Sequence, residues 1–533
     1  MKEKKRMKFK SFDFHPITSF ILMIGFVIII SAILSSLAVQ STYSRINPDT
    51  FELEPVLVNI ENLLTFSGFK YIVSEALRNF ISFAPLGSLI IGLIGMSIAQ
   101  ASGLIDTFIR RNTLHLNNKA ITFMIIFIAI ISSMINDVGY VILIPLAALI
   151  FQENKRNPLL GITAAFCGVA FGYGASLFAA SMEINLVPIT EIAARLVDSS
   201  FHVSFLSNLF IMITSSIIIA IVGTLVVEGI LVKKIGKYKV EEEDSSLNTT
   251  KEIEITEIAK EEQKRFEIDI REKKGLRYAF FTLIFFLLLF LYMIIPNLPF
   301  SGWLLDMEES AYVYQLFGSN SYFQQGFTFM IALLLAITGI AYAVGSKSIS
   351  GDKELIEKMS SYLKDMGYIV VMLFAASQFI MIFRRTNIGL LILSLFAKWI
   401  EMLSFSGVTL IIFVLLIVAV CNFFNTTPVS KWTILAPVVV PLMMQSNISP
   451  QFTQFILRAG DSMTKGFTPL MAYFIVYLTY LNIYNHDNKP VTLRKAMSYI
   501  APYCGIMGLT WLLIIIGWYL IGLPIGPGVF PTM

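Results

Sequence analysis

Apolar runs of about 20 residues recur from one end of this chain to the other, and they limit its fold more than any other feature. A helix needs roughly 20 apolar residues to cross a bilayer, and in lipid its backbone polar groups satisfy one another. Hydrophobic residues make up 56% of the 533 residues and charged residues only 14%, whereas soluble domains carry about 25% charged residues. The sequence therefore predicts an all-α polytopic membrane protein embedded in a lipid bilayer.

The charged residues and potential metal ligands exclude several classes of function. The net charge of +4 is small and concentrated in loops, which indicates membrane orientation and no nucleic-acid partner. The three cysteines lie far apart and the four histidines are scattered, so neither a disulfide framework nor a transition-metal site is expected. Catalysis by a cysteine or histidine nucleophile has no support either.

Basic residues near the ends of the apolar runs predict the orientation of the chain. The first ten residues hold six lysines and arginines against one acid, which places the N-terminus in the cytoplasm and, after the last run, the C-terminus outside. We expect a multi-pass protein of a bacterial-type plasma membrane. Its predicted parts are a cytoplasmic tail (1–16), a first membrane half (17–232), a charged cytoplasmic linker (233–277), a second membrane half (278–522) and an external tail (523–533).

Two apolar stretches differ from ordinary spans because polar residues interrupt them in the middle. The stretch 120–152 is broken around Asp137, and the stretch 408–447 is broken between Asn422 and Pro428. The first has basic residues at both ends, which indicates two half-length helices that enter and leave on one side of the membrane. With the remaining runs, the sequence predicts nine transmembrane helices and two re-entrant helical hairpins.

The two halves share a pattern of prolines, glycines and aromatic residues. The matching pairs, each separated by 292 residues, are Pro145 and Pro437, Gly168 and Gly460, Gly174 and Gly466, and Tyr140 and Trp432. The first unit is predicted to start outside and the second inside. The repeated glycines are predicted to interrupt the helices in which they lie. The pattern indicates an inverted-topology repeat, in which hairpin tips and helix breaks meet near the midplane, as in secondary transporters. Chance alignment of common membrane glycines and prolines is the alternative.

The predicted hairpin tips carry oxygen donors but no histidine or cysteine. Unwound backbone in the membrane leaves unpaired carbonyls and amides, at several kcal/mol each, which a bound ion satisfies. Hard oxygen ligands favour Na⁺. The candidate ligands are Asn136 and Asp137 at the first tip, Asn422 and Asn425 at the second tip, and Asp461 in the helix that follows. The alternative is that the tip residues only cap the hairpin helices.

Three ionisable residues are predicted within the membrane-spanning part of the chain. Burial of a charge there costs free energy, so such residues are candidates for a functional role. Arg458 and Asp461 lie beside a break in the second half, and Glu183 lies beside a break in the first. Arg458 and Asp461 are three residues apart and either neutralise each other or face a hairpin tip. In the second case Arg458 binds a substrate carboxylate. Trp432, which follows the second tip, either stacks on the ring of the substrate or only packs.

Four segments resemble the signature segments of the p-aminobenzoyl-glutamate transporter (AbgT) family. They are FISFAPLGSLIIGLIG, SSMINDVGYVILIPLAA, SKWTILAPVVVPLM and ILRAGDSMTKGFTPLMAYF, and the resemblance continues in order over nearly the whole chain. It implies a homodimer that uses a Na⁺ or H⁺ gradient and no organic cofactor. It also implies import of p-aminobenzoyl-glutamate or export of sulfonamide-type antimetabolites. By motif, the functional positions of the family correspond to Asn422, Trp432, Arg458, Asp461, Pro469 and Glu183.

The chain departs from the family pattern around the substrate positions. A hydroxyl expected three residues before the tryptophan is replaced by Val429, and Thr427 or Ser430 could substitute for it. Glu183 keeps the charge of the usual aspartate on a longer arm. These changes affect the expected substrate more than the expected transport mechanism.

Two adjacent arginines, Arg384 and Arg385, are a further departure. They coincide with an expected break in the run 367–400, which is longer than the roughly 20 residues a straight crossing needs. Either both reach the membrane interface, or at least one faces the cavity and, with Arg458, favours substrates that carry two or more carboxylates.

We interpret the sequence as an ion-coupled secondary transporter that works by alternating access, and not as an enzyme. The expected substrate is p-aminobenzoyl-glutamate or a related anionic, folate-pathway carboxylate. A Na⁺-coupled carrier of small dicarboxylates is one alternative and an integral-membrane transferase is another. The transferase is expected to carry Asp-rich diphosphate-binding motifs or an extramembrane catalytic domain, and the sequence has neither. A passive channel is disfavoured because hairpins and broken helices suit occlusion.

Overall fold

Long apolar helices make up most of the structure. The computed structural model describes residues 14–47, 50, 52–113, 116–133, 137–179, 181–236, 268–402, 404–487 and 489–533. Within them, the helices long and apolar enough to cross a membrane are Pro16–Ser36, Phe66–Ala101, Leu209–Ile235, Ile270–Met293, Tyr322–Ser346, Met366–Arg385 and Leu493–Ile521. The prediction of a multi-pass helical membrane protein is confirmed. Asn136, residues 1–13 of the predicted tail and residues 237–267 of the predicted linker lie outside the described residues.

Shorter helices make up most of the remaining structure, and two of them, Pro158–Phe171 and Pro450–Thr464, are almost entirely buried. The shorter helices are Leu104–Thr113, Asn118–Ser132, Gly139–Glu153, Pro158–Phe171, Ser181–Arg195, Tyr312–Phe317, Asp352–Tyr362, Ile388–Glu401, Gly407–Cys421, Pro428–Gln445, Pro450–Thr464 and Phe474–Ile483. Thr386 and Asn387 separate Met366–Arg385 from Ile388–Glu401, so the break expected beside the two arginines is present.

A small antiparallel sheet departs from the all-α prediction. Strand Gln40–Ile46 pairs with strand Leu53–Asn59, and Tyr43 stands opposite Val56. Buried and exposed side chains alternate along the first strand, because one face of the strand packs on helices Pro428–Gln445 and Ile388–Glu401. The sheet lies in the loop after the first apolar run, where the pattern of membrane-length runs carries no signal for a strand.

The two interrupted apolar stretches fold into units of the same design. The first helix trio is Asn118–Ser132, Gly139–Glu153 and Pro158–Phe171, and the second helix trio is Gly407–Cys421, Pro428–Gln445 and Pro450–Thr464. In each trio the first two helices both pack on the third. The third helices begin at Pro158 and Pro450, which are 292 residues apart like the sequence pairs.

The third helix of each trio ends in a non-helical break. Residues 172–179 separate the first of these helices from Ser181–Arg195, and residues 465–473 separate the second from Phe474–Ile483. Gly168 and Gly460 were expected to interrupt these helices, and that expectation is wrong, because both lie inside them. A Cβ atom at Gly168 would lie 2.7 Å from Ala129 Cβ, and one at Gly460 would lie 2.8 Å from Val418 Cγ1. Both glycines therefore let the first and third helices of a trio approach closely.

Another repeated pair of glycines brings the two trios together. The Gly174 amide donates to Ser462 Oγ over 2.6 Å, and a Cβ atom at Gly174 would lie 3.1 Å from the Arg458 carbonyl oxygen. Reciprocally, a Cβ atom at Gly466 would lie 3.0 Å from a ring carbon of Phe171. Each break therefore contacts the third helix of the other trio.

The close packing at Gly460 predicts a measurable cost for a single methyl group. Gly460→Ala overpacks the contact with Val418 and should lower the free energy of unfolding by about 1–3 kcal/mol. Gly505 lies inside a helix, and a Cβ atom added there would have no neighbouring atom within 4 Å. Gly505→Ala should therefore be neutral or stabilising by up to about 1 kcal/mol. Thermal unfolding of both variants in the same detergent measures the difference. Equal effects of the two substitutions would contradict the packing role of Gly460.

Candidate functional site

Two ion pairs are buried where the trios meet. Arg458 Nη1 donates to Glu183 Oε1, and the side chains are 4% and 3% exposed. Lys431 Nζ donates to Asp461 Oδ1, and these side chains are 0% and 1% exposed. Buried charges are tolerated only when they are paired and hydrogen-bonded. The sequence left open that Arg458 and Asp461 neutralise each other. In the structure each of them is paired with a different residue instead.

The Arg458–Glu183 pair links the two halves of the chain. Glu183 lies in the first turn of Ser181–Arg195, just after the first break. Arg458 Nη2 also donates to the Tyr173 carbonyl oxygen inside that break, over 2.8 Å. The break favours this bond, because a carbonyl outside a helix has no intrahelical amide as its partner. Arg458 thus holds both the acid and the unwound backbone of the opposite half.

The Lys431–Asp461 pair lies entirely within the second trio. Lys431 Nζ donates to Asn422 Oδ1 over 2.7 Å as well as to Asp461. Asn422 is oriented by its own amide, which donates to the Asp461 carbonyl oxygen at 3.1 Å and to Thr464 Oγ1 at 3.3 Å. A lysine ammonium therefore lies against two of the residues predicted to bind Na⁺.

Sequence reasoning did not select Lys431 as a site residue. The signal was present, because a lysine within an apolar stretch at membrane depth is a functional candidate on the same grounds as Arg458. Lys465, at the start of the second break, was also missed. Its Nζ atom lies 2.8 Å from the centre of the Tyr173 ring, so it adds a second contact between the breaks.

Two buried polar atoms of the site lack partners among the described residues. They are Asp461 Oδ2 and Arg458 Nε. A buried polar atom left without a hydrogen bond costs about 1–3 kcal/mol. Asp461 Oδ2 therefore retains the capacity to accept a further donor or to bind a cation.

The indole of Trp432 belongs to a buried polar chain. Its Nε1 donates to Thr190 Oγ1 over 2.8 Å, and Thr190 Oγ1 lies 2.6 Å from Gln454 Oε1. Trp432 is only 1% exposed. In this conformation the Trp432 ring is buried within the protein. The hydrogen bond of its indole nitrogen connects the second trio to helix Ser181–Arg195.

The remaining predicted residues lie outside the two ion pairs. Asp137, at the first tip, lies near enough to Lys465 for their charges to interact. Asn425 Nδ2 donates to Ser430 Oγ over 3.1 Å, so Asn425 is separate from Asn422. Thr427 and Arg384 line a cavity beside the second tip. Val429 packs partly buried on the core, and Pro469 is half-buried in the second break.

Known proteins resemble this chain over almost its full length. Residues 13–533 match the AbgT putative transporter family. The chain is 29% identical over 519 residues to the p-aminobenzoyl-glutamate transport protein of Escherichia coli (strain K12), covering 97% of this chain and 94% of that protein.

Two solved structures of transporters also match. The YdaH transporter of Alcanivorax borkumensis is 26% identical, with 96% of this chain and 100% of that chain covered and a TM-score of 0.47. MtrF of Neisseria gonorrhoeae, whose structure is said to illuminate a class of antimetabolite efflux pumps, is 30% identical, with 97% and 98% covered and a TM-score of 0.49.

These relatives are transporters and not enzymes, which confirms transport over the transferase alternative. The residues that match the family contain those of both ion pairs and both breaks, and all four segments that carry the resemblance. The chain therefore belongs to the AbgT family of transporters.

Proposed function

We propose that this protein is an ion-coupled secondary transporter of p-aminobenzoyl-glutamate or related folate-pathway carboxylates that also exports sulfonamide-type antimetabolites. The observation that carries the proposal is the Arg458–Glu183 pair, which joins the two halves through a break in the membrane-embedded part of the chain. Charged residues at such depth mark substrate and ion pathways. The name of the Escherichia coli relative supports the first substrate, and the description of MtrF supports the second.

The proposed architecture has nine transmembrane helices and two re-entrant hairpins in an inverted repeat. The equal interval between Pro158 and Pro450, and the reciprocal contacts of Gly174 and Gly466, support the repeat. In this arrangement the two breaks lie near the midplane, the N-terminus is cytoplasmic and the C-terminus is external. The working unit is a homodimer in the plasma membrane.

Alternating access follows from the ability of the inter-half pair to open. A substrate carboxylate has the same chemistry as the Glu183 side chain and can replace it on the Arg458 guanidinium, which binds carboxylates with two parallel hydrogen bonds. Exchange of one carboxylate for the other removes the bond to Glu183, which is one of the contacts that hold the first half against the second trio. Trp432, at the adjoining helix, then offers its ring to the aromatic part of the substrate.

The second pair is proposed to handle the coupling ion. Asn422 Oδ1 and the Asp461 carboxylate are hard oxygen donors, and Asp461 Oδ2 has no partner among the described residues, so the donor set fits Na⁺. Bound Na⁺ would supply there the positive charge that Lys431 supplies in this conformation. Lys431 therefore has to withdraw from Asn422 and Asp461 before a cation binds. Asn425 and Asp137 stay as secondary candidate ligands.

Transport itself is tested in proteoliposomes that contain the purified protein. Uptake of radiolabelled p-aminobenzoyl-glutamate should rise several-fold when an inward Na⁺ or H⁺ gradient is imposed, because the ion pathway and the substrate pathway share the second trio. An ionophore that collapses the gradient should abolish the increase. Flux that is independent of both gradients would rule out ion coupling, and strong inhibition by succinate would favour the dicarboxylate carrier.

Removal of the Asp461 charge tests the cation site. Asp461→Asn leaves the Lys431 ammonium buried without its partner and should lower the free energy of unfolding by about 3–5 kcal/mol. The double variant Lys431→Met with Asp461→Asn should recover much of this stability. Neither variant should keep the Na⁺-dependent rise in melting temperature, since a ligand stabilises only a protein that binds it. A titration with NaCl against choline chloride measures the response, and a wild-type response in Asp461→Asn would remove Asp461 from the cation site.

Competition between Glu183 and the substrate makes a further prediction. Glu183→Gln should raise the affinity for p-aminobenzoyl-glutamate by about tenfold, because Arg458 loses its internal carboxylate, and it should slow transport. Arg458→Lys should weaken binding by about tenfold or more, since lysine lacks the planar fork. Equilibrium binding in detergent and uptake in proteoliposomes separate the two effects. An unchanged affinity in Glu183→Gln would leave the pair with a structural role only.

A further inference from the structure

A cavity of about 290 Å³ lies beside the turn of the second helix trio, outside the two ion pairs. Arg384 lines one side of it, and polar residues of the turn, Asn425, Thr427 and Ser430, line another. Apolar side chains, including Phe383, complete the walls. The cavity therefore combines one cationic group and several hydrogen-bonding groups with an apolar surface.

The backbone around the cavity is built to bring these groups together. Helix Met366–Arg385 ends beside it, and Asn387 adopts a left-handed conformation with φ of 61°, which redirects the chain. The next helix then starts against the turn of the second trio. A Cβ atom at Gly389 would lie 2.7 Å from the Phe424 carbonyl oxygen, so this contact requires a residue without a side chain. The position of Arg384 relative to the turn is fixed by this packing.

The two neighbouring arginines have different environments. Arg385 Nη2 lies 2.6 Å from Glu61 Oε1, and its guanidinium lies 4.9 Å from the centre of the Tyr71 ring. Arg384, in contrast, forms no salt bridge with any acid in the described part of the chain, and its exposed side chain lines the cavity. The guanidinium of Arg385 is thus engaged by other groups of the protein, whereas the guanidinium of Arg384 can contact a ligand in the cavity.

The turn opposite Arg384 is held in one shape by its own hydrogen bonds. Asn425 Oδ1 accepts from the Thr427 amide at 3.1 Å, and Asn425 Nδ2 donates to Ser430 Oγ at 3.1 Å. The helix that begins at Pro428 therefore presents its first turn to the cavity. The partial positive charge of a helix start adds to the charge of the guanidinium.

We propose that this cavity is a carboxylate subsite for an amphipathic aromatic anion, in which Arg384 binds the carboxylate and the apolar wall contacts the rest of the ligand. The proposal rests on the function proposed above, because the glutamate arm of p-aminobenzoyl-glutamate carries two carboxylates. Arg458 is engaged by Glu183 in this conformation. Arg384 therefore binds the ligand first, and Arg458 receives its second carboxylate after Glu183 is displaced.

The subsite is also adjacent to the proposed cation site. Ser430 lines the cavity, and the next residue, Lys431, contacts Asp461. One turn of helix thus carries a cavity residue on one face and the ammonium on another. A ligand that settles in the cavity acts directly on the turn that holds Lys431.

The test compares the two arginines in otherwise intact protein. Binding of p-aminobenzoyl-glutamate, p-aminobenzoate and neutral sulfanilamide is measured by titration calorimetry on wild type, Arg384→Gln, Arg384→Lys and Arg385→Gln. Arg384→Gln should lower the affinity for p-aminobenzoyl-glutamate by about tenfold or more and the affinity for sulfanilamide by less than about twofold. Arg384→Lys, which keeps the charge, should fall between wild type and Arg384→Gln. Arg385→Gln should leave all three affinities within about twofold, and it should change the melting temperature only slightly, because the contact with Glu61 is solvent-exposed.

The possible results separate this subsite from the proposed function. If wild type binds p-aminobenzoyl-glutamate and Arg384→Gln binds it equally well, the subsite is refuted and the function stands. If wild type binds neither p-aminobenzoyl-glutamate nor p-aminobenzoate, the function is refuted together with the ligand class named for the cavity. If Arg384→Gln lowers the affinity for neutral sulfanilamide as much as the affinity for the anions, a charge-specific role for Arg384 is refuted. Should Arg384→Gln prove too unstable to purify, the intermediate affinity of Arg384→Lys decides the question.

Discussion

The burial of four full charges in two pairs, Arg458 with Glu183 and Lys431 with Asp461, is the constraint on which the rest of the structure depends. Transfer of a charge out of water costs far more than a single hydrogen bond returns, so every such group needs several partners. Regular helices cannot provide them, because their carbonyls and amides are already paired. Side chains of other helices supply most of the partners, the first break adds the Tyr173 carbonyl, and the glycines allow the third helices and breaks to come within reach.

The two pairs have different structural roles although Arg458 and Asp461 belong to the same helix. Arg458 reaches across to Glu183 and to the Tyr173 carbonyl, and Trp432 reaches across to Thr190, so these contacts hold one half against the other. Lys431, Asn422 and Asp461 all belong to the second trio and its turn. The Arg458–Glu183 pair therefore depends on the position of one half relative to the other, while the Lys431–Asp461 pair depends on the conformation of the turn in the second trio. The proposed coupling of ion and substrate movement would use both kinds of contact.

The sequence predicted the features that depend on local patterns and missed those that depend on pairing in space. The tips and the break beside Arg384 were found because polar residues inside apolar runs have few structural explanations. Gly168 and Gly460 were found as repeated positions but misassigned, since spacing alone does not distinguish a glycine that breaks a helix from one that lets helices pack. The partners of Arg458 and Asp461 were not predictable, because they come from distant segments. Lys431 was overlooked because it was considered only as a neighbour of Trp432 in a motif.

The opposite signs within each pair have a consequence for the electrical behaviour of the carrier without its substrate. Arg458 and Lys431 together carry two positive charges, and Glu183 and Asp461 carry two negative charges, so the two pairs together are neutral. Moving one elementary charge across a membrane potential changes the free energy by about 2.3 kcal/mol per 100 mV. Two neutral pairs move no net charge when the protein reorients without substrate. In the proposed alternating-access cycle, the two pairs therefore add no voltage dependence to the return step while they remain closed, and they contribute to a current only when a pair opens.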